Sequence, residues 1–258
     1  MGIGYIIGCI FSILLWKVDR QFYFLRINKI INRLLKNKIL VHGFYILFIF
    51  TIIYLFSLVK HQEFSNFLTA FIVIDISNTE RENLIKRDKV HFYDSISTIS
   101  RALVCGFTAP LFYILCFGNI FGMLFMLMYN INFSIEDSPI IKWIYNALLI
   151  IPCIITEIPL FIVYIFRNKK LVIEYKGDFF SNSVFRPILN VDILAAYMES
   201  VKFYYYFSNE EIDYLKSYGD YNNNIDEISI KDYLGIAYGV CLVVFVVFFI
   251  IKFLILSI

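Results

Sequence analysis

The sequence predicts an all-α, polytopic integral membrane helix bundle: five or six membrane segments, one of them broken, with a small cytoplasmic loop subdomain. Composition is the first ground. Of 258 residues, 60% are hydrophobic and 17% charged, against about 25% charged in soluble domains, and mean hydropathy is +0.72. The second ground is a run from Ala102 to Ile135 without one charged side chain. At about 1.5 Å per residue a straight helix of that length measures roughly 50 Å, more than a hydrocarbon core of about 30 Å. It also holds Ala109-Pro110, Gly118-Asn119, Gly122 and Asn130, so it reads as a broken segment that other protein must cover. The third ground is the segregation of charge along the chain.

Gly2–Trp16 is apolar, without a basic flank or a small-residue cleavage site, and reads as a retained first span. Residues 17–38 carry seven bases (Lys17, Arg20, Arg26, Lys29, Arg33, Lys36, Lys38) against Asp19. That segment is expected in the cytoplasm by the positive-inside rule. Within it, Arg20–Leu35 alternates apolar and basic residues like an amphipathic helix on an anionic inner leaflet. Ile39–Val59 is a clean span, with His42 its one titratable group. Phe64–Ile76 is short and ends at Asp75. The mixed charges of 79–101 read as a solvated cytoplasmic face. Ile140–Phe166 is a span interrupted by Lys142, Pro152, Glu157 and Pro159, and Arg167, Lys169 and Lys170 follow it, again a cytoplasmic mark. The acidic link Ser134–Ser138 fits outside. Two topologies meet these marks: either 64–76 crosses and the long run crosses once with a break, the preferred reading, or 64–76 does not cross and the long run doubles back.

The organisation is thus membrane helices over 1–166, a cytoplasmic polar region over 167–234 and a C-terminal transmembrane helix over 235–258. In the polar region Asn190 or Asp192 is placed to cap a helix running through Tyr206, and Asn222-Asn223-Asn224 reads as a loop. Helix contacts are expected at Gly106, Ala109, Gly118 and Gly122, where small side chains let backbones approach.

Chemistry is sparse. Cys9, Cys105, Cys116, Cys153 and Cys241 all lie in apolar runs, no CxxC pair occurs, and the histidines are scattered, so neither a metal site nor a disulfide framework is expected. No GxSxG, P-loop, GxGxxG or HExxH motif occurs. No cofactor and no catalytic residue is assigned. A net charge of +2 is too small to argue for nucleic acid. Glu157, between Pro152 and Pro159, is the one carboxylate deep in a span, and so a functional candidate. The candidate core is therefore Ala109, Pro110, Gly118, Gly122, Asn130 and Glu157. The lipid bilayer, with its anionic inner leaflet, is the expected partner, beside a membrane or cytoplasmic protein.

The stretch Gly106-Phe107-Thr108-Ala109-Pro110-Leu111-Phe112-Tyr113 resembles the G-V-V-A-P-L-F core of the CobD/CbiB membrane family, the adenosylcobinamide-phosphate synthases. Gly118, Gly122 and Asn130 match the glycines and asparagine that follow it. Leu148–Pro152 is similar to that family's proline-bearing helix, and Asn190–Val201 to its alanine-rich one. The departures lie before the core, where Ser97, Arg101, Ala102 and Cys105 stand in place of the synthases' acids and amides, and after it, where Phe133 replaces an aspartate. Shorter relatives of the AmpE type keep the core without those acids, and the chain resembles them more. The resemblance implies a non-catalytic signalling or accessory protein of the bacterial inner membrane, linked to cell-wall-dependent β-lactamase regulation. A diverged synthase and a small transporter subunit are the alternatives.

Overall fold

The computed structural model describes residues 2–15, 26–27, 29–31, 33–35, 38–75, 93–134, 139–208, 213–219 and 227–257. They are mostly helical: α1 Ile3–Leu14, α2 Lys38–Ser57, α3 Gln62–Val73, α4 Tyr93–Leu103, a π-helical turn Val104–Thr108, α5 Ala109–Phe117, α6 Asn119–Ser134, α7 Pro139–Asn168, α8 Phe179–Phe185, α9 Pro187–Met198 and α10 Glu227–Ser257. The all-α expectation misses an antiparallel hairpin of β1 Phe203–Ser208 and β2 Asp213–Tyr218, which pairs Phe203 with Tyr218 and Phe207 with Tyr214. Among the described residues, three helices are long and apolar enough to cross a membrane: Ser95–Phe117, Pro139–Asn168 and Ile228–Leu254. The Asn222-Asn223-Asn224 loop and most of 79–101 lie outside the described residues, as does part of the amphipathic segment.

The chain divides into two compact units. The first comprises Met1–Glu82, Cys105–Tyr145 and Phe245–Ile258. Within it α1 and α3 run parallel in close contact. A Cβ on Gly4 would lie 2.2 Å from the Glu63 carbonyl oxygen, and one on Gly8 would lie 2.5 Å from that of Phe67. This is the small-xxx-small device that brings helix backbones together in lipid, and the Gly4-x-x-x-Gly8 spacing carries it. At one end Glu63 Oε2 accepts the Gly4 N–H at 2.9 Å, a carboxylate on a helix N-terminus. At the other the Ser12 hydroxyl donates to the Ile74 carbonyl.

The charge-free run folds back on itself, which replaces the preferred single crossing. Gly118 adopts φ +88, a left-handed conformation that glycine takes without a Cβ clash, and it ends α5 and starts α6. Across the turn Tyr113 stacks on Phe125 at 5.3 Å, Phe117 meets Phe121 at 5.1 Å, and a Cβ on Gly122 would sit 2.6 Å from Ile114 Cγ1. Pro110 does not break the helix. It lacks an N–H, so the Gly106 carbonyl four residues earlier loses its α-helical donor. The chain widens there into the π turn, and the Asp75 N–H takes that carbonyl at 2.8 Å.

Ile31, Val41, Tyr45 and Ile131 form one buried cluster, with Ile141 packed against it. The acidic link 135–138 lies outside the described residues.

The second unit comprises Asn83–Val104 and Asn146–Val244. Pro187 opens α9, its fixed φ suiting the first turn. Nearly all of α9 is buried, including both Asn190 and Asp192, so neither caps a helix. Nor does the helix reach Tyr206: Ser200 turns with φ +53, and the aromatic run Phe203–Phe207 takes the extended form that such residues favour. Arg167 grips Glu199 with two bonds of 2.9 and 3.1 Å and reaches Asp232 at 3.3 Å, tying α7 to the residue after α9 and to α10.

The Gly4–Gly8 contact predicts that Gly8→Leu destabilises the protein in detergent by about 1–3 kcal/mol or more, since backbone faces the new side chain. Gly43→Leu, where no atom lies within 4 Å of a built Cβ, is expected to melt like wild type. Equal melting of the two variants would refute the close-contact account.

Candidate functional site

The second unit centres its polar chemistry on Asp192. Ser97, Ser100 and Arg101 share one face of α4, by the spacing of three and four that brings helix side chains together. That face meets α9 at Asp192, which is 2% exposed. Ser100 and Ser97 hydrogen-bond the carboxyl group, and the Arg101 charge acts on it. Ser100 also shares a proton with the Tyr233 hydroxyl of α10 at 2.9 Å. Tyr205 of β1 feels the charges of Arg186, Asp192 and Arg101. One carboxyl oxygen of Asp192, Oδ1, has no protein hydrogen-bond partner, and neither do Ser95 Oγ and Asn190 Oδ1 nearby in the same helices. Burial pushes the Asp192 carboxyl up from an ordinary 3.8 to about 6, against the opposing pull of Ser100, Ser97 and Arg101.

The first unit has a smaller polar knot at the Gly118 turn. The Tyr5 hydroxyl donates to Asn119 Oδ1 at 2.7 Å, and Asn119 Nδ2 donates to Asn66 Oδ1 at 2.9 Å and to Ser65 Oγ at 3.2 Å. Its polar atoms satisfy one another. Cys105 and Tyr145 are 3.0 Å apart, Sγ to OH, beside the π turn.

The expected core residues do not converge. Ala109 is fully buried and Pro110 frees the Gly106 carbonyl, so both act through the backbone. Gly118 makes the turn and Gly122 the close approach to Ile114. Asn130 donates to the Met126 carbonyl of its own helix at 2.8 Å and to Met126 Sδ at 3.1 Å, a local bond. Glu157 is half-buried on α7, where its charge acts on the Tyr175 hydroxyl. Asp192 was legible in sequence only as a cap. The available signal was a lone acid inside the apolar string Ile188-Leu189-Asn190-Val191-Asp192-Ile193-Leu194, which must be buried and partnered if that string is a helix.

Chemically, the site can hold and release a proton on a buried carboxyl flanked by hydroxyls and a guanidinium. Among the described residues no group of three His, Cys, Asp or Glu side chains could hold a metal ion. Comparison with family models, with curated proteins and with solved structures finds no match.

The raised pKa fixes a sign. The folded protein holds the Asp192 proton more tightly than the unfolded chain, so the contribution of Asp192 to stability is fully present below about pH 4 and is lost as pH rises through about 6. Asp192→Asn removes that slope. Melting in detergent from pH 4 to 7 should show a gap between wild type and variant that changes over this window; parallel curves would refute the assignment.

Proposed function

We propose that the protein is an AmpE-like protein of a bacterial inner membrane, acting by binding and signalling in cell-wall-linked β-lactamase regulation. One observation carries this reading. The positions that stand where the synthases keep acids and amides are committed to holding helices together. Ser97 bonds Asp192, whose charge Arg101 also faces, and Cys105 meets Tyr145. Ala102 offers no polar group. Forming an amide between a corrinoid carboxylate and an amino-alcohol phosphate calls for polar groups open to both reactants, and these groups turn inward.

The orientation follows from the strongest charge mark. The seven bases of 17–38 keep that side cytoplasmic. Arg167, Lys169 and Lys170, directly after the Ile140–Phe166 span, mark the polar residues 167–234 as cytoplasmic by the same rule.

Two experiments test this. Deleting the gene should alter β-lactamase induction in a host that has the inducible system, and purified protein should leave adenosylcobyric acid unconverted; turnover to the phosphorylated amide would establish the synthase instead. A cysteine at Asn223 should react with a membrane-impermeant maleimide only after lysis. Labelling in intact cells would reverse the orientation.

A further inference from the structure

The residues that follow α7 do not leave it. The Tyr164 hydroxyl donates to the Val172 carbonyl at 3.0 Å, the Glu157 charge acts on Tyr175, and Asn146 Nδ2 donates to the Phe185 carbonyl at 2.6 Å. As the chain advances from 172 to 185, its partners on α7 retreat from 164 to 146. The segment 169–185 therefore runs back antiparallel to α7. From Asn168 to Asn146 is about 33 Å along a helix at about 1.5 Å per residue, a whole hydrocarbon thickness of about 30 Å. The return is α9, and Asn168 Nδ2 donates to the Tyr197 carbonyl at 2.9 Å. The chain goes down one side of the span and comes back to where it started.

Helix α8 on this path is inside out. Phe180 is 82% exposed, and Val184, four residues on and on the same face, is 49% exposed, as is Phe185 at 58%; Asn182 is buried at 1%. A helix of a soluble domain does the reverse. The apolar surface continues on α7, where Ile151, Ile154, Ile158, Ile162 and Phe166 form an exposed stripe at helical spacing along a candidate membrane span. It continues too at Leu171 and Val172, both exposed. Two polar groups of the segment reach β2: Asp178 accepts from Lys216 and, at 2.8 Å, from the Tyr218 hydroxyl, and Lys176 reaches Ser217 at 3.5 Å. Lys169, Lys170 and Glu174, before α8, are exposed.

We propose that α8, at the end of the limb 169–185, lies against the bilayer beside α7, with Phe180, Val184 and Phe185 in contact with lipid acyl chains. This rests on α7 crossing the membrane. The occupant is lipid because the exposed face of α8 is apolar and continues the apolar stripe of a candidate membrane span.

Fluorescence quenching tests it on the full chain in phosphatidylcholine vesicles, with Trp16→Phe and Trp143→Phe as background. Phe180→Trp and Val184→Trp, each at an exposed position that can take a larger ring, are compared with Ile158→Trp on the α7 stripe. Acyl-brominated phosphatidylcholine should quench all three to within about twofold, and iodide should quench none. Quenching of the limb tryptophans by iodide but not by lipid overturns the limb while leaving α7 in the membrane. Limb tryptophans shielded from both quenchers overturn it in favour of a protein partner on that face. An Ile158→Trp signal that lipid does not quench removes the membrane reading of α7, and the limb with it.

Discussion

Pro110 has no amide hydrogen, and the Gly106 carbonyl that would have received one is taken by the Asp75 N–H. In lipid an orphan carbonyl costs several kcal/mol, and no water is present to relieve it. This bond therefore fixes where the end of α3 lies against the π turn. The other end of α3 is held by Glu63 on the Gly4 amide, and its length is sealed to α1 through Gly4 and Gly8. Asn119 then joins both short helices to the Gly118 turn through Tyr5, Ser65 and Asn66. Between helices in lipid there is no hydrophobic driving force, because lipid tails are as apolar as leucine. Close backbone approach and paired polar groups set the geometry of the first unit in its place.

The second unit meets the same constraint with charges. Arg167 engages both oxygens of Glu199, the stronger form of guanidinium–carboxylate contact, and Glu199 is 6% exposed. Its arm to Asp232 is weaker, because that carboxylate is more than half exposed and solvent screens it. Asp192 is gripped less completely. Two hydroxyls and a nearby guanidinium offset only part of the burial cost, which is why its proton is held more tightly than in water. Stability in this unit is thus tied to the protonation of Asp192.

Much of this was legible in the residues, and the misses share causes. The membrane character followed from composition, and the break in 102–135 from Gly118, since a glycine followed by Asn119 invites a turn. The reversal at that break was not legible, because it depends on Ile114 and Tyr113 finding Gly122 and Phe125 across the turn, a contact between residues that look equally apolar. Gly4 and Gly8 were visible at the right spacing but sat in a segment too short to attract attention as a helix-pairing face. The aromatic string Phe203–Phe207 was read with a helical period, although its composition favours a strand. Asp192 was read as a cap because Asn and Asp favour that position. The start of α9 is set instead by Pro187, and tertiary packing against α4 placed the acid inside.

Asn182 of α8 and Asn190 and Asp192 of α9 are all buried, in an interior otherwise made of residues such as Leu189, Val191, Ile193 and Leu194. Such an interior is stable only while every element that encloses it stays in place. A molecule reaching Asp192 would have to part α4 from α9, breaking the bonds from Ser97 and Ser100 and disturbing Tyr233 on α10. A large substrate has no way to do this without dismantling the site. A change in the protonation of Asp192 acts on those same contacts directly.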